Sequence, residues 1–333
     1  MQAFVTGSTG LLGSNLVREL VDRGYSVKAL VRSVDKAKHL LGDVPQVQFI
    51  QGDLQAIPAF APELQGCDVL FHTAAYFRES YGLGDHWPRL KRLNIDATIE
   101  LLEAAEKAGV RKAIYVSSSG CIGRNPDGSP GSEASPPAPV SYSNLYFKSK
   151  LIAEDAVATF LQRSTLPVVL ICPGAMLGPQ DAAPTEFGQF VLDFLNRKIP
   201  ARLAGGMPTV DARDVAAAMV NAVERGKSGD RYIVGGPYFS MADLMHRLET
   251  VSGVPSPRQK IPGFMMRLLA LLATAVARFT GGEPAIPIEG VKIMLADLAY
   301  DSAKAQRELG AEFRPIDTTL ADMVAWYRQA NYL

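Results

Sequence analysis

"TGSTGLLGSNL", residues 6–16, decides the fold. It follows a short apolar run, "AFVTG" (3–7), and leads into a segment, 11–23, whose apolar residues recur at helical spacing. Glycines 7, 10 and 13 form the pattern G-x-x-G-x-x-G. Gly7 permits the tight turn, Gly10 lets the backbone approach a pyrophosphate, and Gly13 lets helix and strand pack closely. Thr9, Leu11 and Leu12 belong to the same turn, where the free N–H groups and dipole of a helix N-terminus favour an anion. A glycine-rich turn by itself says little; at the first strand-to-helix junction of a βαβ unit it points to a bound dinucleotide.

Working outward, the first half of the chain alternates short apolar runs with helical patterns. The strand candidates are "AFVTG" (3–7), "VKALVR" (27–32), "VQFIQGD" (47–53), "DVLFHTAA" (68–75), "KAIYVSSS" (112–119) and "PVVLICPG" (167–174), with periodic segments 11–23, 89–108 and 145–163 between them. Near-continuous apolar strands suit a sheet buried on both faces, so the fold class is α/β, a Rossmann-type doubly wound parallel sheet. "GRNPDGSPGSEASPPAP" (123–139) reads as a long surface loop. Beyond residue 180 the alternation loosens into helices with short strands, including "RYIVGG" (231–236). The expected partition is a dinucleotide-binding unit over 1–175 and a smaller, mostly helical substrate-binding cap over 176–333, from which about 208–236 returns to the first unit.

Composition narrows the classes of partner. The 333 residues are 47% hydrophobic and 20% charged, and 34 basic residues balance 34 acidic ones, so no net field favours nucleic acid or an anionic membrane. Cys67, Cys121 and Cys172 are far apart, which argues against a disulfide framework or zinc site and for a reducing cytoplasm. The four histidines show no metal-ligand spacing, and no metal is expected. The N-terminus reads as a strand rather than a charged leader with a cleavage site. The most apolar stretch, "FMMRLLALLATAVARF" (264–279), has an uninterrupted apolar part, 268–277, shorter than the roughly 20 residues of a spanning helix. It is expected to be a buried or cleft-covering helix rather than a transmembrane segment; an interfacial helix that meets lipid is the alternative.

The tip of the second strand discriminates between cofactors. An acidic residue there would hydrogen-bond an adenosine ribose, whereas arginine would accommodate a 2′-phosphate. The chain reads "VRSVDKAK" (31–38), with Arg32 and Ser33 at the tip, Lys36 and Lys38 beyond it, and Asp35 past it. NADP(H) is therefore expected over NAD(H). In "SNLYFKSKLIAE" (143–154), Tyr146 and Lys150 are four residues apart and share a helix face about 6 Å apart in rise, whereas Lys148 points elsewhere.

Several motifs then coincide: "TGSTGLLG" (6–13), "GDL" (52–54), "FHTAA" (71–75), "LNIDATIELLEAAEKAGV" (93–110), "IYVSSSG" (114–120), "YFKSK" (146–150), "CPGAMLGP" (172–179), "VDARDVAAAM" (210–219) and "YDSAKAQRELG" (300–310). In this order and spacing the chain resembles the extended short-chain dehydrogenase/reductase superfamily, the epimerase/dehydratase family. The resemblance implies that Asp53 and Leu54 flank the adenine, that Thr73, Ala74 and Ala75 line the ribose and diphosphate, and that Pro173 and Gly174 shape the nicotinamide site. It implies Ser119 as the catalytic serine, Tyr146 and Lys150 as the catalytic pair that also contacts the cofactor, and Asn94 as a support. It also implies a homodimer through segments 89–108 and 145–163. In that chemistry a tyrosine hydroxyl, with an ordinary pKa of roughly 10, protonates the alkoxide formed by hydride transfer, and a lysine ammonium stabilises the phenolate and binds ribose hydroxyls.

Fold does not choose among the reactions of such a superfamily. Sugar-nucleotide members often carry an asparagine after the sixth strand; here "LICPGAMLGP" (170–179) has none in that place, and Gly120 and Cys121 follow Ser119 where dehydratases commonly carry an acidic residue. Tyr76, Phe77, Tyr142, Met176, Phe187 and Phe190, with Gly120 and Cys121, are the expected substrate lining, although aromatic residues at such spacing are as often plain core. The expectation is an NADP(H)-dependent reductase of a ketone or aldehyde on a small, fairly lipophilic molecule, resembling the dihydroflavonol-reductase, aldehyde-reductase and hydroxysteroid-dehydrogenase branch. A sugar-nucleotide epimerase or dehydratase, or a non-catalytic NADP-sensing protein, are the alternatives.

Overall fold

The apolar runs of the first half lie side by side as parallel strands in the computed structural model, which describes residues 1–77, 82–282, 284 and 286–333. Among the described residues the strands are, in chain order, β1 (Gln2–Thr6), β2 (Ser26–Val31), β3 (Val47–Gln51), β4 (Val69–His72), β5 (Lys112–Val116), β6 (Val168–Pro173), β7 (Ala175–Leu177), β8 (Gly206–Asp211), β9 (Arg231–Val234) and β10 (Tyr238–Ser240). The large sheet has the order β3-β2-β1-β4-β5-β6-β9, every neighbouring pair parallel. The chain winds outward from β1 to β3 and then crosses to β4, so the switch point falls between β1 and β4, where Thr6 is in register with His72. In an open parallel sheet, a crevice for a ligand opens at the carboxyl ends of such strands.

Both faces of this sheet are buried, as the unbroken apolar strands require. On one face Leu12, Leu16 and Leu20 of helix Leu11–Asp22 pack with Val215 and Met219 of helix Ala212–Arg225. On the other, Phe4, Leu70 and Tyr115 of the sheet meet Leu101 and Leu102 of helix Ala97–Lys107 and Ala153, Val157 and Phe160 of helix Leu145–Leu161. Each such fully buried aliphatic side chain contributes about 1.5–3 kcal/mol. Residues 123–138 carry no helix or strand, in keeping with their Pro, Gly and Ser content, and the helix Pro139–Ser143 begins at their end.

The C-terminal part interleaves with this unit. Helix Ala212–Arg225 and β9 return to the large sheet, and so does helix Ala303–Leu309, whose Ala305 and Leu309 join the same core. The return is thus wider than the 208–236 segment expected from the sequence. The remainder forms a second core, with Leu192 and Phe194, Leu244 and Leu248, and Leu320 and Met323 meeting from helices Glu186–Leu195, Met241–Ser252 and Ile316–Gln329 beside a small sheet ordered β10-β8-β7. Helix Gly263–Thr280 is not the buried helix that its composition allowed: Met266, Ala270 and Ala277 are buried, with Val291 and Leu295 packing beside Met266 and Ala270, and most of its remaining circumference is exposed, although Thr274 and Arg278 border the cavity at Tyr146.

Candidate functional site

The crevice begins at the glycine-rich turn. Gly7 has φ +70°, and a Cβ there would stand 2.7 Å from Ala74 N and from Thr73 Oγ1, so only glycine admits this close crossing of the β1 and β4 ends. A Cβ on Gly13 would lie 2.0 Å from Gly7 O, which locks the helix against the turn. Gly10 is different: its nearest contact would be 3.4 Å, and as the N-cap of helix Leu11–Asp22 it supplies no side-chain cap. Gly10 N donates to Gly7 O at 2.9 Å, while the N–H groups of Leu11 and Leu12, in the first turn of the helix, have no intrahelical acceptor, which fits a dinucleotide's phosphates. Thr9 sits at the same turn, half-buried.

Behind the turn runs a chain of buried hydrogen bonds. Ala74 N donates to Thr6 Oγ1 at 3.4 Å, and Thr6 Oγ1 lies 2.7 Å from His72 Nδ1. His72 Nε2 lies 3.1 Å from Thr98 Oγ1, which itself donates to Asn94 O at 2.9 Å. Because Thr98 spends its proton on that carbonyl, the network assigns the His72 proton to Nε2, with Nδ1 accepting from Thr6. Burial, helped by the Lys150 charge, pushes the His72 imidazole down to about 3 and keeps it neutral. Thr73 Oγ1 donates to Thr6 O at 2.7 Å, which holds the segment 73–75 across the crevice.

At the far end of the crevice, Arg32 is exposed at the tip of β2, and Ser33 caps helix Val34–Leu41, which carries Asp35 away from the tip. Asp53 ends the β3 segment by accepting from Gln55 N at 2.8 Å, with Leu54 opening the next turn.

Tyr146 lies in the first turn of helix Leu145–Leu161, whose N-cap Asn144 accepts from Phe147 N at 3.0 Å. Lys150 follows one turn later, 2% exposed, and its Nζ donates to Val116 O at 2.7 Å and reaches Tyr115 OH at 3.4 Å. Burial lowers its pKa to about 8. The ammonium stands 6.0 Å from the centre of the Tyr146 ring, and burial raises the Tyr146 hydroxyl well above the ordinary tyrosine value. The ammonium bonds the Val116 carbonyl rather than the phenol. Ser119 is buried in the turn after β5, beside the Tyr300 hydroxyl.

Asn94 binds the two halves of the site together. Its Oδ1 accepts from Tyr76 N at 2.7 Å, and its Nδ2 donates to Tyr76 O and to Ser149 Oγ, both at 3.0 Å; Ser149 Oγ donates on to Tyr146 O at 2.7 Å. The residue sits in a π-helical stretch, Lys91–Asp96, inside the segment expected as one regular helix. The wider turn interrupts the regular backbone pairing at a site of use.

The expected substrate lining separates into parts. Phe77 packs its ring 4.4 Å from that of Tyr146. Tyr76 is buried, with its hydroxyl 2.9 Å from His86 Nδ1. Gly120 and Cys121 are buried behind Phe147, whose ring would meet a Gly120 Cβ at 2.2 Å. Tyr142 points to solvent, Met176 packs against the sheet core, and Phe187 and Phe190 pack into the C-terminal core; none of the eight expected lining residues is among those that wall the cavity at Tyr146. That cavity, about 230 Å³, is walled by Tyr146 and Asn144 with His86, Thr274, Arg278 and Ile288. Pro173 and Gly174 lie at the end of β6, where a Gly174 Cβ would stand 2.2 Å from Gly235 O.

Two residues escaped the sequence reading. Tyr300 arrives because Gly131 of the long loop pairs with its segment, Gly131 N donating to Ala299 O and Asp301 N to Gly131 O, both at 2.8 Å. No local signal could have placed it. Glu154, one turn beyond Lys150, is partly buried, accepts from Ser117 Oγ and pairs with Arg231 Nη1 at 3.2 Å; burial raises its carboxyl. The same four-residue step that selects Lys150 reaches it.

With this geometry in view, comparisons place the chain among known proteins. Residues 3–235 match the family model described as the NAD dependent epimerase/dehydratase family. The chain is 35% identical, over 99% of its length and 95% of the relative's, to a Synechocystis protein provisionally named a dihydroflavonol 4-reductase. It is 33% identical to sterol demethylase protein B of Methylococcus capsulatus over the whole of both chains. A crystal structure of the protein gox2253 superimposes with a TM-score of 0.83 at 33% identity, over 99% of each chain.

Proposed function

The chain belongs to the NAD dependent epimerase/dehydratase family and is an NAD(P)-dependent oxidoreductase, and from that premise we propose that it reduces a ketone or aldehyde on a small, lipophilic molecule, using NADP(H). The observation that carries the reading is the meeting of Tyr146, with Phe77 packed on its ring, and the buried Lys150, on the helix that borders the crevice behind the glycine-rich turn.

NADPH, when bound, supplies the hydride for the carbonyl carbon. Gly7, Thr9, Gly10, Leu11 and Leu12 would hold its diphosphate, Arg32 its 2′-phosphate, Asp53 and Leu54 its adenine, Thr73, Ala74 and Ala75 its ribose, and Pro173 and Gly174 its nicotinamide. The Tyr146 hydroxyl keeps its proton at neutral pH, as an acid must, and delivers it to the carbonyl oxygen. The Ser119 hydroxyl holds that oxygen for the transfer, with the Tyr300 hydroxyl beside it. Lys150, anchored on Val116 O, sets a cation beneath the Tyr146 ring and would hold ribose hydroxyls. The lipophilic substrate is supported by Phe77 at Tyr146 and by a relative named for sterol demethylation. A cytoplasmic location and a homodimer through the neighbouring helices Ala97–Lys107 and Leu145–Leu161 belong to the same reading; the three buried free thiols suit the former.

NADPH oxidation measured across a panel of aldehydes, aromatic ketones and sterol ketones tests the proposal. Net cofactor consumption with at least one lipophilic carbonyl is expected. Conversion of a nucleotide sugar with no net cofactor change would replace it with epimerisation, and cofactor binding without any turnover would replace it with a sensing role.

A further inference from the structure

Helix Gly263–Thr280 is the one described helix with the length and composition of a membrane span. Its side chains sort into three stripes. Met266, Ala270 and Ala277 are buried, in positions four and seven residues apart. Arg267 and Arg278, eleven residues or about three turns apart, share a second edge with Leu271 and Thr274. Phe264, Met265, Leu268, Leu269, Leu272, Val276 and Phe279 form the outer face, with Phe264 71% and Phe279 93% exposed. An apolar face of this extent on a surface marks an interaction site.

Charge selects the partner. Between Glu249 and Glu283 the sequence holds four basic residues, Arg258, Lys260, Arg267 and Arg278, and no acidic one. Among the described residues none of these four forms an ion pair, so their charge is available to a ligand surface. The Arg edge borders an apolar groove of about 930 Å³, lined also by Pro139, Leu271, Ile288 and Lys292, which adjoins the Tyr146 cavity through the shared Ser143, Thr274, Arg278 and Ile288. A second copy of the chain would bring the same positive edge against itself. An anionic bilayer offers hydrocarbon for the outer face and headgroup charge for the arginines.

The helix lies on such a bilayer rather than crossing it. The apolar run between the two arginines spans about 16 Å, roughly half a hydrocarbon core, and the buried stripe keeps the helix on the protein. We propose that helix Gly263–Thr280 docks the protein on anionic membrane surfaces, with Arg267 and Arg278 at the headgroups and the outer apolar face below them. The docking does not depend on the reaction proposed above; that a lipophilic substrate passes from the bilayer through the groove to Tyr146 rests on that reading.

Vesicle flotation with the full-length protein tests the docking without reference to turnover. Vesicles of phosphatidylcholine with phosphatidylglycerol should carry the protein at least about tenfold better than phosphatidylcholine alone. Leu268→Gln/Leu272→Gln/Val276→Gln should abolish flotation with an unchanged melting temperature, and Arg267→Gln/Arg278→Gln should reduce it towards the phosphatidylcholine level. A wild-type protein that stays in solution with both vesicle types overturns the proposal. So does a dimer, measured by light scattering, that the triple variant dissociates while lipid binding is absent.

Discussion

Tyr146 and Lys150 share a helix face, yet their polar groups do not bond one another: the ammonium bonds the Val116 carbonyl and stands 6.0 Å from the centre of the tyrosine ring, while burial raises the tyrosine's pKa. As the proton donor proposed here, the tyrosine would be held protonated. Tyr146→Phe keeps the ring against Phe77 and removes the donor; turnover should fall about 10²–10⁴-fold while NADPH affinity, read by fluorescence titration, changes little. Near-normal turnover would remove Tyr146 from the chemistry. Arg32 is exposed without a partner among the described residues, at the tip of β2. Arg32→Asp should weaken NADPH binding about 10–100-fold and leave NADH nearly unchanged, in line with the strength of a charge-assisted contact to phosphate. Equal effects on the two cofactors would place the 2′-phosphate elsewhere.

Elements decide how closely these residues can approach. Gly13 and Gly10 read alike in the motif but differ in what surrounds them: Gly7 O would stand 2.0 Å from a Cβ at position 13, and 3.4 Å from one at position 10. Gly13→Ala should cost about 1–3 kcal/mol of stability by overpacking, whereas Gly10→Ala should leave the melting temperature near wild type and weaken NADPH binding. A destabilised Gly10→Ala protein would mean that the turn, rather than the ligand, requires that glycine. The buried chain from Ala74 through Thr6, His72 and Thr98 to Asn94 joins β1, β4 and the π-helical turn. His72 has a folded pKa near 3 against about 6.5 when unfolded, so the unfolded chain binds more protons between those values. Its contribution is complete above about pH 6.5 and is lost as the pH falls towards 3. His72→Gln removes that titration, so its urea midpoint should decline less than the wild type's between pH 7 and 4; parallel declines would show that other groups govern acid unfolding.

At the scale of the whole molecule, the returning segments hold the cap on the sheet. Arg213 Nη2 pairs with the buried Asp211 at 2.7 Å and its Nη1 reaches Asp322 of helix Ile316–Gln329, also at 2.7 Å; Arg314 pairs with Asp214 at 2.7 Å. Arg213→Met leaves the Asp211 carboxylate with the residue-213 backbone N–H at 2.8 Å and, as its remaining cation, the more distant Arg314, 3.6 Å away, and should cost about 3 kcal/mol by denaturant unfolding. A loss below about 0.5 kcal/mol would reduce the contact to surface decoration. Local pattern alone determined the parallel sheet, the glycine-rich turn and the Tyr146–Lys150 face, because helix and strand periods and a glycine's lack of a side chain act within a few residues. Sequence could not place Tyr300 beside Ser119, since a pairing of two loops far apart in the chain delivers it. Nor could it assign Tyr142 to solvent and Phe187 and Phe190 to the cap core, because an aromatic residue looks the same in a core and in a pocket until its neighbours are known. The same holds for helix Gly263–Thr280. Its composition is that of a buried helix; only the packing of the remaining chain, which covers one stripe and leaves the rest open, decided that it is a surface.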